Sequence, residues 1–377
     1  MKKKSLNISK ILFYIFTITL VISNLSLFSN NIIRLLVLYV LFAGFAIYYL
    51  FKSNFKLPVS FVILVFVALL IEFYLILVKD YSYSNDRVIF LIMDIGMLWI
   101  GYNARKENYY NNILKIYVLS CVFSSIFYLL KFDTSLIYGY GLKHCLAVNI
   151  IFAFFIVLIK KDLLGIKSKL LCCAVFLFTI INLNSRSGLI GLICCICYLV
   201  VTNYLIILKY IKKHIIPTLC GITLVVFFIQ KIIGAIYVAL RFDSLQSISL
   251  DRYSADRLPM IREGLLLFKD SKLFGIGNTS IIPQSFYVEC FPIDVLVQLG
   301  FVGFILYFIF YLILFILLFK NKYHGSNLLL AKACFIASLI ISLFSANAPM
   351  GPGTAFSFMW FLIGVALQNK QEGNYND

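Results

Sequence analysis

The chain has 377 residues, 62% of them hydrophobic and 13% charged, with a formal net charge of +17 and a mean hydropathy of +0.97. No soluble domain of this length has such a composition. The basic residues fall in short clusters between apolar runs, which excludes a nucleic-acid-binding surface. The chain reads as one membrane domain over 1–377: all-α, polytopic, with no stretch long enough for a second, soluble domain.

A helix crosses the hydrocarbon core in about 20 residues. Twelve spans are predicted on that basis, at 11–29, 32–51, 57–78, 88–104, 113–130, 142–159, 170–185, 187–208, 214–233, 301–319, 328–346 and 354–368. Met1-Lys2-Lys3-Lys4 before the first span resembles a signal peptide, but no small-residue cleavage site follows Leu27, so the span is read as uncleaved. The even-numbered connections carry Lys52, Lys56, Arg105, Lys106, Lys160, Lys161, Lys167, Lys169, Lys209, Lys212, Lys213, Lys320 and Lys322. With the basic N-terminus and Lys370, the positive-inside rule puts both termini in the cytoplasm of a multi-pass cell-membrane protein. Nineteen of 25 lysines fall inside, yet seven of eight arginines fall outside: Arg34, Arg87, Arg186, Arg241, Arg252, Arg257 and Arg262.

The longest stretch between spans, 234–300, is expected to form a large extracytoplasmic loop. Pro259 suits a first helical turn. Residues 260–268 are mostly apolar apart from Arg262 and Glu263, which predicts a short interfacial helix. Gly275 and Gly277 are expected to end it in a tight turn. A second short helix is expected over 292–299, with Gly300 and Gly303 marking the start of the tenth span.

Arginine is a rigid, always-charged fork that grips phosphate or carboxylate bidentately. Arginines gathered at one outer face therefore point to a large bound anion, with Arg186, Arg257, Arg252, Arg262 and Arg87 as its candidate partners. The other reading is contact with anionic lipid or with Asp251, Asp256 and Glu263. Glu289, just before Cys290-Phe291-Pro292, is the candidate general base for a hydroxyl group. A helix start would favour its ionisation and weaken it as a base, and a helix-capping acid would look the same. Asp294 is the second candidate. His144 falls near the outer face, either touching substrate or at a solvated helix end. Arg87 and Asp94, seven apart, share a helical face and read as a structural pair lining a polar cavity rather than a proton relay. Glu72 lies at a similar depth in the third span. Cys172, Cys173, Cys194, Cys195 and Cys197 read as packing residues. Cys290 alone falls in an outer segment, so no disulfide framework is implied. Tyr81, Tyr83, Tyr138, Tyr140, Phe286 and Tyr287 cluster at the outer boundary, where aromatic belts are usual and where sugars could also stack. The sequence has no Asp-x-Asp, P-loop or Ser–His–Asp pattern, and neither a metal nor a cofactor is expected.

Two stretches resemble the O-antigen polymerase and ligase superfamily. Asn184-Ser185-Arg186-Ser187-Gly188 looks like its Ser-Arg-small turn between spans. Arg257 through Ile261, then Lys272-Leu273-Phe274-Gly275-Ile276-Gly277, is similar to its outer-loop pattern, with Ile261 where Trp is usual and Lys272 where Pro is usual. A third stretch, Glu289 followed by Gly300-Phe301-Val302-Gly303, is similar to the ligase pattern, which begins with His; Glu289 in its place leans toward a polymerase. The resemblance implies a GT-C-like fold and inverting, metal-independent glycosyl transfer at the outer face. The donor would be a glycan on a polyprenyl diphosphate and the acceptor a new lipid-linked repeat unit of capsule or O-antigen. Arg186 and Arg257 match the diphosphate-binding positions, and Glu289 the position of the ligase's base. No cofactor is implied, because the energy resides in the donor's diphosphate bond. A flippase and a chain-length regulator are the protein partners such an enzyme would have, with no role for nucleic acid. A ligase, or a flippase or transporter of lipid-linked oligosaccharide, remains the alternative; transporters usually carry two similar halves and helices broken at mid-membrane.

Overall fold

In the computed structural model, every regular element among the described residues is an α-helix. The structure describes residues 8–22, 25, 32–53, 58–78, 82–107, 109–130, 140–183, 185–204, 208, 234, 257–276, 288, 290–320, 325–344 and 355–372. In chain order the helices are α1 Ile8–Ile22, α2 Ile32–Lys52, α3 Val59–Val78, α4 Ser82–Ala104, α5 Tyr110–Leu129, α6 Tyr140–Ile159, α7 Ile166–Asn182, α8 Arg186–Thr202, α9 Arg257–Asp270, α10 Phe291–Phe319, α11 Ser326–Ser342 and α12 Ser357–Glu372. Eleven predicted spans overlap α1–α8 and α10–α12, and the helix expected over 260–268 falls within α9. The ninth predicted span, 214–233, lies outside the described residues.

Helices are what such a sequence must form in lipid, because each one satisfies its own backbone polar groups. Three stretches are long and apolar enough to cross a bilayer: Val59–Ile76, Tyr110–Leu129 and Phe291–Phe319. They mark the chain as a membrane protein. Their outward faces are as apolar as their packed ones: on α3, Phe66, Leu69 and Phe73 are exposed while Leu64, Ile71 and Leu75 are buried. This all-round apolarity is the signature of a helix surrounded by lipid or protein rather than water.

The bundle is held by close approach of small residues. A Cβ on Gly101 of α4 would overlap the Phe361 carbonyl of α12, and one on Gly364 would overlap the Leu98 carbonyl. These two helices therefore pack backbone against backbone, the usual way membrane helices maximise dispersion contact. Around that seam the large rings of Phe358, Trp360 and Phe361 are fully buried, and Phe358 stacks on Tyr117 of α5 at 3.6 Å between centroids. On its other side α11 meets α8, where Gly191 faces Ile341 and the Cys195 thiol donates to the Ala333 carbonyl at 3.1 Å. Cys195 is thus a packing residue, as expected. At one end of the bundle a Lys52–Glu107 ion pair ties α2 to the α4–α5 turn.

The decisive local feature is a break in α10. Gly300 adopts φ 65° and ψ −167°, so 291–299 and 301–319 are two helices meeting at a corner, as Gly300 and Gly303 led one to expect. A break frees carbonyls of one helix and amides of the next, which lipid cannot satisfy. The turn after α9 satisfies both sets. Ile276 N–H donates to the Val297 carbonyl at 3.0 Å; Phe301 N–H donates to Lys272 at 2.9 Å and Val302 N–H to Leu273 at 3.2 Å. Tyr74 of α3 donates its hydroxyl to the Leu299 carbonyl at 2.5 Å. The two backbones come so close that a Cβ at Gly300 would overlap the Leu273 carbonyl, and one at Gly275, itself at φ 69°, the Gln298 carbonyl. The expected glycine turn after α9 and the expected helix break are one joint.

Two substitutions test the joint. Gly300→Ala should cost about 1–3 kcal/mol or more, because that backbone conformation is all but restricted to glycine. Tyr74→Phe should cost about 0.5–1.5 kcal/mol, one hydrogen bond. Unfolding midpoints in mixed micelles read both; an unchanged midpoint for Gly300→Ala would mean the break carries no strain that glycine relieves.

Candidate active site

The turn that precedes α8 is built from buried hydroxyls. Ser185, with extended backbone, caps the helix: its Oγ accepts from Gly188 N–H at 3.4 Å. Ser185 and Ser187 are both buried. His144, from the first turns of α6, places Nδ1 3.0 Å from Ser185 Oγ and 3.4 Å from Ser187 Oγ. A serine hydroxyl that accepts from Gly188 N–H keeps both its proton and a second lone pair, so the direction of the His144 bond follows the tautomer of the ring. Tyr128 of α5 braces the end of α7 just before the turn, donating to the Asn182 carbonyl at 3.0 Å. His144 was expected to touch substrate or to end a solvated helix; the structure sets it, half-buried, against the serines that flank Arg186.

Arg186 and Arg257 share an unusual position. Each is the first residue of its helix, α8 and α9, and each is half-buried. A cation there faces the positive end of the helix dipole, which disfavours it by about 0.3–1 kcal/mol, whereas an anion at the same place would be favoured. Arg262 lies on α9 too, exposed; α9 begins before the expected 260–268, so Arg257 is on the helix as well. α8 lies on α11, with Gly191 against Ile341, and α11 lies on α10; α9 crosses the first half of α10, where a Cβ at Gly264 would stand 2.9 Å from Val288 and 3.3 Å from Val297.

Asp294 is buried in the first turn of α10, and Gln298 Nε2 donates to its carboxylate at 2.8 Å. The neighbouring Cys290 thiol is buried, and burial above all pushes its pKa up. Beside these residues α10 and α11 enclose an apolar groove of about 350 Å³, lined by Phe291, Pro292, Tyr307, Tyr311, Leu339 and Leu343 among others.

Glu289 and Arg252 lie outside the described residues, as do Arg241, Tyr81, Tyr138, Phe286 and Tyr287; the side chains of Arg87, Arg34, Tyr83 and Tyr140 do so as well. Asp94 is buried and accepts a hydrogen bond from the Trp360 indole of α12. Glu72 is buried on α3, and neither of its oxygens has a hydrogen-bond partner among the described residues. No three His, Cys, Asp or Glu side chains among the described residues come together as a metal-binding group. Reading the sequence missed Tyr74 and Tyr128; the signal would have been a tyrosine near the end of an otherwise apolar span, a hydroxyl that must find a partner.

The His144–Ser185 contact is testable as a coupling. His144→Ala leaves buried serine hydroxyls unmatched, at about 1–3 kcal/mol, and Ser185→Ala removes a cap worth about 1 kcal/mol. The double variant should be less destabilised than the sum by about 0.5–3 kcal/mol; strict additivity in denaturant unfolding would show that the two do not interact.

A family model described as O-antigen ligase matches residues 171–308. No curated protein matches the chain. The matched stretch takes in most of α7, all of α8 and α9, the joint at Gly300 and the start of the second half of α10. It therefore contains both patterns on which the likeness was first drawn. Over residues 171–308, then, the resemblance to the O-antigen polymerase and ligase superfamily is borne out.

Proposed function

We propose that the chain is a glycosyltransferase of the twelve-span type that joins polyprenyl-diphosphate-linked oligosaccharide repeat units into a capsular or O-antigen polysaccharide. The reaction would take place at the outer face of the cytoplasmic membrane. An acceptor hydroxyl attacks the anomeric carbon of the donor glycan, the glycosidic bond to the polyprenyl diphosphate breaks, and the configuration inverts. The diphosphate gathers negative charge as it leaves. Arg186 and Arg257 meet that charge from two helix starts, with Arg252, Arg262 and Arg87 as further candidate partners, while Glu289 takes the proton of the attacking hydroxyl and Asp294 stands as the alternative base. The apolar groove between α10 and α11 offers a seat for the first isoprenoid units. No metal is needed when the leaving group is held by guanidinium groups.

The observation that carries this reading is the pair of half-buried arginines at the first positions of α8 and α9, both within the stretch that matches the family. Each places a guanidinium, a group that grips phosphate oxygens bidentately, at a helix start, where a bound anion is favoured. A ligase would use the same clamp and hand the finished chain to a different acceptor. Glu289, where the ligase pattern has His, favours the polymerase.

Reconstitution with purified lipid-linked repeat units should give a ladder of products. Arg186→Ala and Arg257→Ala should each lower turnover about 10²–10³-fold, and Glu289→Gln about 10²–10⁴-fold, with membrane insertion unchanged. Full-length ladders from both arginine variants would sink the clamp; a fully active Glu289→Gln would move the base to Asp294. In cells, deletion should leave single repeat units exported and attached, whereas units stalled inside would point to a flippase.

A further inference from the structure

The bundle end that holds Lys160 carries a second concentration of positive charge. From His144, beside the Ser185 turn, to the end of α6 at Ile159 the helix rises about 22 Å, and Lys160 follows directly. That end is therefore well separated from the candidate active site. A cavity of about 480 Å³ opens there, lined by Arg105 after α4, Tyr110 and Asn111 of α5, Lys160 to Leu163 after α6, and Gly325 to Asn327 at the start of α11. That volume lies within the ~300–1,000 Å³ of small-ligand sites.

Three cations and one acid, Asp162, line it. Two of the cations are built into the wall. The Lys160 ammonium donates to Ser326 Oγ at 3.0 Å and to Asn327 Oδ1. The buried Tyr110 hydroxyl donates to the same Asn327 oxygen at 3.1 Å, so that acceptor is fully engaged. Arg105 and Lys160 both approach the Tyr110 ring, at 5.5 and 5.9 Å from its centroid. Burial, and after it the charge of Arg105, pulls the Lys160 pKa down to about 8. Like charges are thus drawn into one partly dry space, where their repulsion is less screened than in water. The start of α11 adds the positive end of a helix whose cap makes no side-chain hydrogen bond. Such an arrangement is poor for the empty protein and good for an anion bound in it.

We propose that this cavity is a binding site for a phosphate group, gripped by Arg105, Lys160 and Lys161 at the start of α11. The group could come from the headgroup of an anionic phospholipid in the adjoining leaflet or from free phosphate, since both present the same oxygens to the same donors. The site shares no residue with the glycosyl-transfer site, and neither reading depends on the other.

Native mass spectrometry of the full chain, purified in neutral detergent, separates the sources. One arm offers phosphatidylglycerol against phosphatidylcholine, and the other titrates inorganic phosphate. The wild-type chain should retain phosphatidylglycerol preferentially or bind inorganic phosphate. Arg105→Gln and Lys160→Gln should each weaken that binding about tenfold, the loss of one charged hydrogen bond. Lys167→Gln, a charge removed from α7 outside the cavity, should not. If Lys160→Gln does not fold, Lys161→Gln takes its place beside Arg105→Gln. Retention of phosphatidylglycerol with loss of phosphate binding assigns a lipid, and the reverse assigns a soluble phosphate. Equal binding by wild type and folded variants in both arms overturns the proposal.

Discussion

Much of this molecule's outer architecture depends on one backbone joint, the turn after α9 seated in the break of α10. A helix cannot bend sharply in a membrane without stranding amides and carbonyls that lipid cannot serve. Here a single turn supplies acceptors to Phe301 and Val302 and a donor to Val297, while Tyr74 from α3 takes the Leu299 carbonyl. Because α9 leads directly into that turn, the orientation of α9, and with it the starting points of Arg257 and Arg262, follows from the joint. Phe268 of α9 packing edge-on against Phe301 at 5.2 Å adds an apolar clasp to the polar one.

Behind the joint stands a scaffold of a different kind. α4 and α12 touch backbone to backbone at Gly101 and Gly364, and α8 meets α11 through Gly191, so the shape here is set by dispersion and absence of side chains rather than by hydrogen bonds. A rigid apolar bundle fixes the starts of α8 and α10, and a few polar contacts, His144 to Ser185 and Tyr128 to Asn182, fix the turn between α7 and α8.

Electrostatics runs against local preference at both ends of the bundle. Arg186 and Arg257 open helices that would rather meet an anion, and Arg105 and Lys160 crowd one tyrosine ring. Positive charge placed where a helix end is already positive lowers the stability of the empty protein and raises its affinity for phosphate oxygens. The two ends would then handle the same chemistry, a phosphoryl group, for different purposes.

The sequence alone determined the helices and the corner between two of them. A run of apolar residues in lipid has one way to satisfy its backbone, and Gly300 and Gly303 in such a run mark where α10 could turn. It also singled out Arg186 and Arg257 through patterns confined to a few consecutive positions, but not that Arg257 would open a helix. What it left open was every partner. Tyr74 and Leu299 are 225 residues apart, Lys160 and Ser326 166, His144 and Ser185 41. Periodicity tells which face of a helix is apolar but not which helix it will meet, and these spans are apolar on every face. Only packing, by bringing small residues into register, decided which hydroxyl would reach which carbonyl, and so where the two ends of the bundle would gather their charge.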